Sequence, residues 1–195
     1  MHRNIEYYNN NAKAFFEGTV NADMSQWRRR FENYLSDGAK ILDAGCGSGR
    51  DSLAFINGGY EVDAFDASEG LCKLASELIW KDVRKLRFED VDYIDSFDGI
   101  WACASLLHVD EEALPMVVAK LKRALKKDGV IYASFKYGNG RINRGDRVFT
   151  DKNEESAKEL FEQNGFVTLE CDISTDIRPD RAEEKWINVI ARKAH

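Results

Sequence analysis

The stretch Ile41-Leu42-Asp43-Ala44-Gly45-Cys46-Gly47-Ser48-Gly49-Arg50-Asp51 decides the fold of this chain. A short apolar run ends in the acid Asp43, a loop with glycine at every second position follows, and a helix begins at about Arg50. This order is typical of a β-strand that leads into a helix whose N-terminus points at a ligand. Glycine lacks the Cβ that would hold a ligand away from the backbone, and it tolerates a positive φ in a tight turn.

A second acidic residue follows the loop at the sequence spacing expected within a βαβ unit. Asp66 ends another apolar run, residues 60–65. It lies roughly 20 residues after the glycines, the distance at which the second strand of a βαβ unit offers a carboxylate to ribose hydroxyls. The loop and the acid together predict a cofactor that contains adenosine.

The spacing of the glycines selects among such cofactors. The dinucleotide fingerprint G-x-G-x-x-G needs a third small residue, but Arg50 stands there and the glycine falls one place early, at Gly49. We therefore set aside an NAD-linked oxidoreductase. A P-loop is also excluded, because no Gly-Lys-Ser/Thr follows the glycines.

Asp43 and the loop after it resemble motif I of the class I S-adenosylmethionine-dependent methyltransferases, and the resemblance runs from about Tyr7 to Lys193. It is closest to compact small-molecule methyltransferases, including tellurite-resistance-like ones. It implies a doubly wound, Rossmann-like α/β domain with a seven-stranded sheet and an antiparallel C-terminal hairpin. It also implies S-adenosyl-L-methionine as the cofactor, with its amino-acid moiety against the glycine turn and its ribose against Asp66.

The candidate cofactor-binding residues lie in the N-terminal segment, the glycine loop and the ends of the next strands. They are Tyr8, Asp43, Gly45, Cys46, Gly47, Gly49, Arg50, Asp66, Ala67, Ser68, Phe88, Glu89, Asp90, Ala104 and Ser105. The resemblance places the adenine near Phe88, Glu89 and Asp90.

The N-terminal residues 1–36 are expected to form a helical lid, as in many members of the family. By that likeness Tyr8 and Phe16 would touch the methionine end of the cofactor; alternatively, these aromatic residues merely pack the first helix on the sheet. Apolar residues at helical spacing predict a helix from Met24 to Leu35.

Composition limits the function classes. The chain has 195 residues and a net charge of -6, so we expect a single domain, 1–195, that binds neither nucleic acid nor a membrane. The cysteines at positions 46, 72, 103 and 171 form no C-x-x-C pair, and no metal site is predicted. The polar N-terminus lacks the apolar core of a signal peptide. We expect a cytoplasmic protein, either a monomer or a homodimer.

Later segments predict the second half of the sheet. A nearly continuous apolar strand covers Phe97–Ala104, Asp110 is expected to cap the following helix, and Val130–Phe135 forms another strand. Residues 136–147 are polar, glycine-rich and cationic, which predicts a long loop. A helix is expected from Lys152 to Asn164. The runs Phe166–Ile173 and Trp186–Arg192 have no helix between them, which indicates an antiparallel hairpin at the sheet edge.

The candidate catalytic residues follow the ends of the fourth and fifth strands. His108 is a possible base, or else a structural histidine, and Lys136 and Tyr137 lie where a methyl acceptor would bind. Arg178 and Trp186 of the hairpin are candidate pocket residues. The cations Lys136, Arg141, Arg144 and Arg178 favour a small anionic acceptor, unless they are merely solvated at the surface.

The sequence thus predicts an S-adenosylmethionine-dependent methyltransferase that acts on a small-molecule acceptor. A tRNA- or protein-modifying methyltransferase is one alternative, although the acidic balance argues against RNA. A catalytically silent regulator that binds S-adenosylmethionine is another.

Overall fold

The computed structural model of the protein describes residues 2–178 and 181–194. The helices are α1 His2–Asn10, α2 Ala12–Thr19, α3 Ser25–Glu32, α4 Arg50–Asn57, α5 Glu69–Ile79, α6 Leu114–Ala124 and α7 Glu154–Glu162. The strands are β1 Lys40–Ala44, β2 Glu61–Asp66, β3 Arg84–Lys85, β4 Phe97–Ala102, β5 Leu125–Lys136, β6 Gly140–Arg144, β7 Arg147–Asp151, β8 Phe166–Thr175 and β9 Lys185–Lys193. Short 3-10 turns cover 88–90, 106–108 and 111–113.

The described strands form a seven-stranded sheet in the order β3-β2-β1-β4-β5-β9-β8 and a separate ribbon, β6-β7. Strands β1 to β5 of the large sheet pair in parallel, whereas β9 is antiparallel to both β5 and β8. The predicted doubly wound α/β sheet with an antiparallel C-terminal hairpin is confirmed. The strand order reverses between β1 and β4, and ligands of such sheets bind beyond the carboxyl ends of the strands at this point.

Two apolar layers hold the helices on the sheet. On one face Phe31 of α3 and Phe55 of α4 contact the ring of Trp101, which stacks on Tyr132 with centroids 4.0 Å apart. On the other face α6 and α7 bury Val117, Leu121 and Phe161 against the apolar residues of β4, β5 and β9. Because β1 and β4 are covered on both faces, most of their residues are apolar and buried.

The polar segment 136–147 departs from the sequence prediction. Most of it is an ordered hairpin rather than a loop: β6 pairs with β7 from Gly140↔Asp151 to Arg144↔Arg147. The chain reverses at Gly145-Asp146, where Gly145 has a φ of +59°. A two-residue turn that begins with glycine is a hairpin signal, and the exposure of β6 explains why most of its side chains are polar.

Several predicted boundaries shift. The helix expected from Met24 to Leu35 covers Ser25–Glu32, and the one expected from Lys152 to Asn164 covers Glu154–Glu162 with Asn153 as its cap. Asp110 does not cap α6: a 3-10 turn intervenes, and α6 starts at Leu114 with Pro115 in its first turn. None of the helices in the described ranges has the length and apolar character needed to cross a membrane.

Candidate active site

A cavity of about 630 Å³ lies at the carboxyl ends of β1, β2, β4 and β5. The glycine loop and the strand ends form its floor, while α1, α2, the β6-β7 ribbon and the β8-β9 connection enclose it. The predicted site residues that line it are Tyr8, Asp43, Gly45, Cys46, Gly47, Arg50, Asp66, Ala67, Ser68, Phe88, Ala104, Ser105, His108, Lys136, Arg178 and Trp186.

Two glycines of the loop leave no room for a Cβ. A Cβ on Gly47, where φ is +56°, would lie 3.1 Å from the ring of Phe15 on α2. A Cβ on Gly45 would lie 2.5 Å from the Cβ of Ser105. Gly49 does not line the cavity: it lies against Ala75 of α5, and its role is therefore to let α4 and α5 pack closely. The loop offers bare backbone to the cavity directly beneath α2.

Asp66 is fixed at the end of β2 by backbone donors. Its Oδ2 accepts the N–H of Gly47 at 3.0 Å, and its Oδ1 accepts the N–H of Ser68 at 2.8 Å. Burial raises the pKa of Asp66, while these hydrogen bonds oppose the shift. Ser68 caps α5 and donates from Oγ to Asn9 of α1 at 2.8 Å. The carboxylate is thus held toward the cavity with lone pairs left for a ligand's hydroxyls.

Asp43 stands beside a second buried acid. Its Oδ2 accepts the Ser52 hydroxyl at 2.6 Å, and burial together with the charge of Asp51 raises the pKa of Asp43 to about 7. Burial raises the pKa of Asp51, but its ion pairs with Arg50 and Arg28 outweigh this effect, and the pKa is lowered overall. Arg50, which breaks the dinucleotide pattern, therefore serves as the partner of Asp51.

The third strand end supplies an apolar wall. Leu86 and Phe88 line the cavity, and the Phe88 ring meets that of Phe65 edge to face at 5.2 Å. Glu89 and Asp90 do not line the cavity, since the 3-10 turn at 88–90 carries them away from it. Phe88 is thus the member of this predicted group that the structure brings to the site.

The imidazole of His108 is held between α1 and β7. Nε2 lies 2.8 Å from Tyr8 Oη, while Nδ1 lies 3.3 Å from Asn4 Nδ2 and 3.4 Å from the carbonyl oxygen of Val148. Burial lowers the pKa of His108 to about 4, and the charge of Arg147 adds to this effect. The ring is therefore neutral at pH 7 and able to accept a proton.

The far end of the cavity contains a buried ion network around Asp176. Arg178 binds this carboxylate through two nitrogens at 2.8 and 2.6 Å, and Trp186 Nε1 donates to it at 3.1 Å. Lys136 Nζ lies 3.5 Å from Asp176, pairs with Glu184 and sits 4.1 Å from the centre of the Trp186 ring. Burial lowers the pKa of Lys136 to about 8, against the attraction of Asp176. Lys136, Arg178 and Trp186, three candidate pocket residues, thus lie together at this end of the cavity.

Other predicted residues lie elsewhere. Tyr137 is exposed outside the cavity and donates to Glu154 at 3.0 Å, because consecutive residues of a strand face opposite ways. Phe15, and not Phe16, is the α2 ring that lines the cavity. Arg141 points outward to Asp110 at 3.3 Å.

Several residues that line the cavity were not among the sequence candidates, and Asn4 and Arg147 are the two that matter most for the chemistry. Asn4 is buried and exchanges two hydrogen bonds of 2.8 Å with the backbone of Val148. Arg147 opens β7 and lines the cavity beside Tyr8. The glycine in Gly145-Asp146 could have predicted a hairpin at this point. Such a hairpin would direct the strand that begins at Arg147 back toward the domain. Among the described residues, no group of three potential ligands is arranged to hold a metal ion.

The sequence of this chain is similar to those of known methyltransferases. Residues 41–129 match the sequence profile of a family described as a methyltransferase domain. An uncharacterized methyltransferase of Staphylococcus carnosus is 29% identical over 122 residues, which make up 58% of this chain and 59% of that protein. The chain therefore spans less than two thirds of that relative.

Solved structures with the same fold cover nearly the whole chain. One is the 1,6-didemethyltoxoflavin-N1-methyltransferase of Burkholderia thailandensis, solved with 1,6-didemethyltoxoflavin and S-adenosylhomocysteine. Its TM-score is 0.79 at 21% identity, and the superposition covers 98% of this chain and 85% of that protein's chain. A TehB-like S-adenosylmethionine-dependent methyltransferase from Corynebacterium glutamicum has a TM-score of 0.71 at 22% identity. That superposition covers 97% of this chain and 98% of the other protein's chain.

Proposed function

We propose that this chain is a class I S-adenosylmethionine-dependent methyltransferase that methylates a small-molecule acceptor inside the cavity. The observation that carries the proposal is that one partly covered cavity contains both the glycine loop and His108. Helices α1 and α2 and the β6-β7 ribbon cover it. A tRNA or protein target would need an open groove, and the net charge of -6 disfavours RNA further.

The residues present fit S-adenosyl-L-methionine. The positive-φ loop at Gly45 and Gly47 admits an amino-acid moiety against its backbone, with the carboxylate of Asp43 nearby for an ammonium group. Asp66 supplies oxygen acceptors for the ribose diol, and Leu86 and Phe88 offer an apolar wall for the adenine. When bound, the cofactor supplies an electrophilic methyl group on a sulfonium.

The chain's own residues orient the acceptor and remove its proton. Alignment of the acceptor's nucleophile with the methyl group supplies much of the rate of such a displacement. Tyr8 Oη takes the acceptor's proton as its own hydroxyl proton passes to Nε2 of His108, 2.8 Å away. The net result is a protonated imidazole and an intact phenol, and the proton returns to solvent after product release.

The lid predicted for residues 1–36 finds support in the contacts of α1. Asn4 bonds to both backbone groups of Val148, and Arg3 donates to the carbonyl oxygen of Gly145 at 3.0 Å. Helix α1 and the β6-β7 ribbon therefore close the cavity as a pair. We propose that they separate to admit cofactor and acceptor.

Two measurements test this function. Calorimetric titration should give micromolar binding of S-adenosylmethionine and S-adenosylhomocysteine but not of NAD. Incubation with the methyl-labelled cofactor and separated cell fractions should then label the metabolites rather than tRNA or protein. Label in a macromolecular fraction would overturn the small acceptor, and tight cofactor binding with no label in any fraction would indicate a silent regulator.

A further inference from the structure

Arg147 lies in the cavity against three aromatic rings. Its guanidinium carbon is 4.8 Å from the ring centre of Tyr7, 5.9 Å from that of Tyr8 and 5.1 Å from that of Phe149. One of its nitrogens lies 3.3 Å from Tyr8 Oη. The negative potential of these ring faces partly stabilises the charge of the guanidinium.

The other cations predicted for an anionic acceptor have carboxylate partners. Arg144 bonds to Asp151, Lys136 lies beside Glu184 and Asp176, and Arg178 binds Asp176. Arg141 pairs with Asp110 outside the cavity. These pairs neutralise much of the positive charge to which the sequence pattern pointed.

Arg147 differs from all of them. Within residues 2–178 and 181–194, it forms no ion pair with a carboxylate; its polar contact is the phenol of Tyr8. The side chain is half-buried, and removing a charge from water without a counterion is costly. The cavity thus holds a positioned cation whose counterion is not supplied by the described part of the chain.

We propose that Arg147 binds the carboxylate of the methyl acceptor, which is therefore a small organic acid. This inference rests on the proposed function, because it names the substrate class of the same cavity. The guanidinium fork matches the two oxygens of a carboxylate, and the rings of Tyr7 and Phe149 make the surroundings apolar. A phosphate dianion would need more positive charge than one arginine provides.

The position of Arg147 places a bound carboxylate next to Tyr8 and His108. Tyr8 Oη lies between the guanidinium, at 3.3 Å, and Nε2 of His108, at 2.8 Å. A carboxylate held on Arg147 is anchored next to the pair that removes the acceptor's proton. Anchoring a reactant beside its base restricts the orientations that it can sample, which accelerates the reaction.

Binding of simple acids to the whole protein tests this inference. The chain is saturated with S-adenosylhomocysteine, and acetate, lactate and benzoate are titrated by ligand-observed NMR alongside acetamide, lactamide and benzamide. We expect at least one acid to bind about tenfold more tightly than its amide, as the loss of charge-assisted hydrogen bonds implies. Inorganic phosphate, titrated in parallel, should bind more weakly than that acid.

Variants assign the effect to one side chain. Arg147→Gln should weaken binding of that acid about tenfold while leaving its amide unchanged, and Arg147→Lys should lie between, because lysine keeps the charge but loses the fork. Arg141→Gln, on the same ribbon but paired outside the cavity, is the matched control and should change nothing. Unchanged affinity for S-adenosylhomocysteine shows that each variant remains folded.

The outcomes separate the two proposals. If the wild-type protein fails to bind S-adenosylhomocysteine, the proposed function itself fails. If it binds that compound but no acid binds better than its amide, or Arg147→Gln retains the preference, the assignment of Arg147 is wrong. Phosphate binding tighter than that of every acid would overturn the carboxylate class.

Discussion

Tyr8 Oη lies 2.8 Å from Nε2 of His108, although the two residues are 100 positions apart in the chain. Tyr8 belongs to α1, which covers the cavity, and His108 follows β4 at the cavity floor. In the proposed lid, closure of α1 and assembly of the proposed base are therefore the same event. The contact that covers the cavity is also the one that places the phenol against the imidazole.

Replacing Tyr8 by phenylalanine tests this arrangement. The ring and its edge-to-face contact with Phe15, at 5.0 Å, are kept, while the hydroxyl that relays the proton is lost. We expect the rate of methyl transfer to fall roughly 10²-fold and the affinity for S-adenosylhomocysteine to stay within about threefold. The rate is measured by transfer of labelled methyl into the acceptor fraction. An unchanged rate would show that the phenol takes no part in proton removal.

The pH dependence of the rate tests His108. Because burial and Arg147 lower its pKa to about 4, the wild-type rate should rise with pH through about 4 and then level off. A solvated histidine would place that rise near 6.5. His108→Gln should remove the rise and slow transfer roughly 10²-fold at pH 7. A rise near 6.5 that survives in His108→Gln would assign the base elsewhere.

The cofactor half of the site could be predicted from sequence because its parts are local. Asp43, the glycine loop and the start of α4 are consecutive, and Asp66 follows at the distance that one βαβ unit sets. The nearly continuous apolar run Phe97–Ala104 indicated a strand buried on both faces of the sheet. The methyltransferase-domain profile matches residues 41–129, which include this part of the chain.

The acceptor half could not be predicted in the same way, because long-range contacts form it. The pairing of Asn4 with Val148 spans 144 positions, and no spacing rule connects α1 to β7. Charges alone pointed to Arg141 and Arg144, whose partners Asp110 and Asp151 are visible only in the fold. In the sequence Arg147 is one of several cations in the polar segment 136–147. Its contacts with aromatic rings are visible only in the folded β6-β7 ribbon.

Asp66→Asn is expected to weaken cofactor binding. An amide has one acceptor oxygen in place of two, so either a backbone N–H of the loop or a ribose hydroxyl loses its partner. Titration calorimetry with S-adenosylhomocysteine should show a loss of about 1–3 kcal/mol. Asp63→Asn is the matched control, since Asp63 lies on the same strand but pairs with Lys40 and Lys81. Equal affinities for all three proteins would contradict the ribose assignment.

Asn4→Ala should loosen the lid. The substitution removes both hydrogen bonds to the backbone of Val148, which are otherwise shielded by the burial of Asn4. We expect hydrogen exchange of the Val148 amide to accelerate at least about tenfold and S-adenosylhomocysteine to dissociate faster. Asn10→Ala, at the exposed end of the same helix, serves as the control. Unaltered exchange at Val148 would mean that α1 is held by other contacts.

Asp43 should make folding stability depend on pH. Its pKa is about 7 in the folded protein, against about 3.9 in an unfolded chain, so between these values the folded state binds the extra proton. Stability therefore falls as pH rises through this window. Asp43→Asn keeps an acceptor for the Ser52 hydroxyl but cannot ionise beside Asp51. Urea unfolding at pH 5 and pH 8 should show the variant gaining about 1–3 kcal/mol relative to wild type at the higher pH. A constant difference across this range would show that Asp43 ionises normally and that the charge of Asp51 is screened from it.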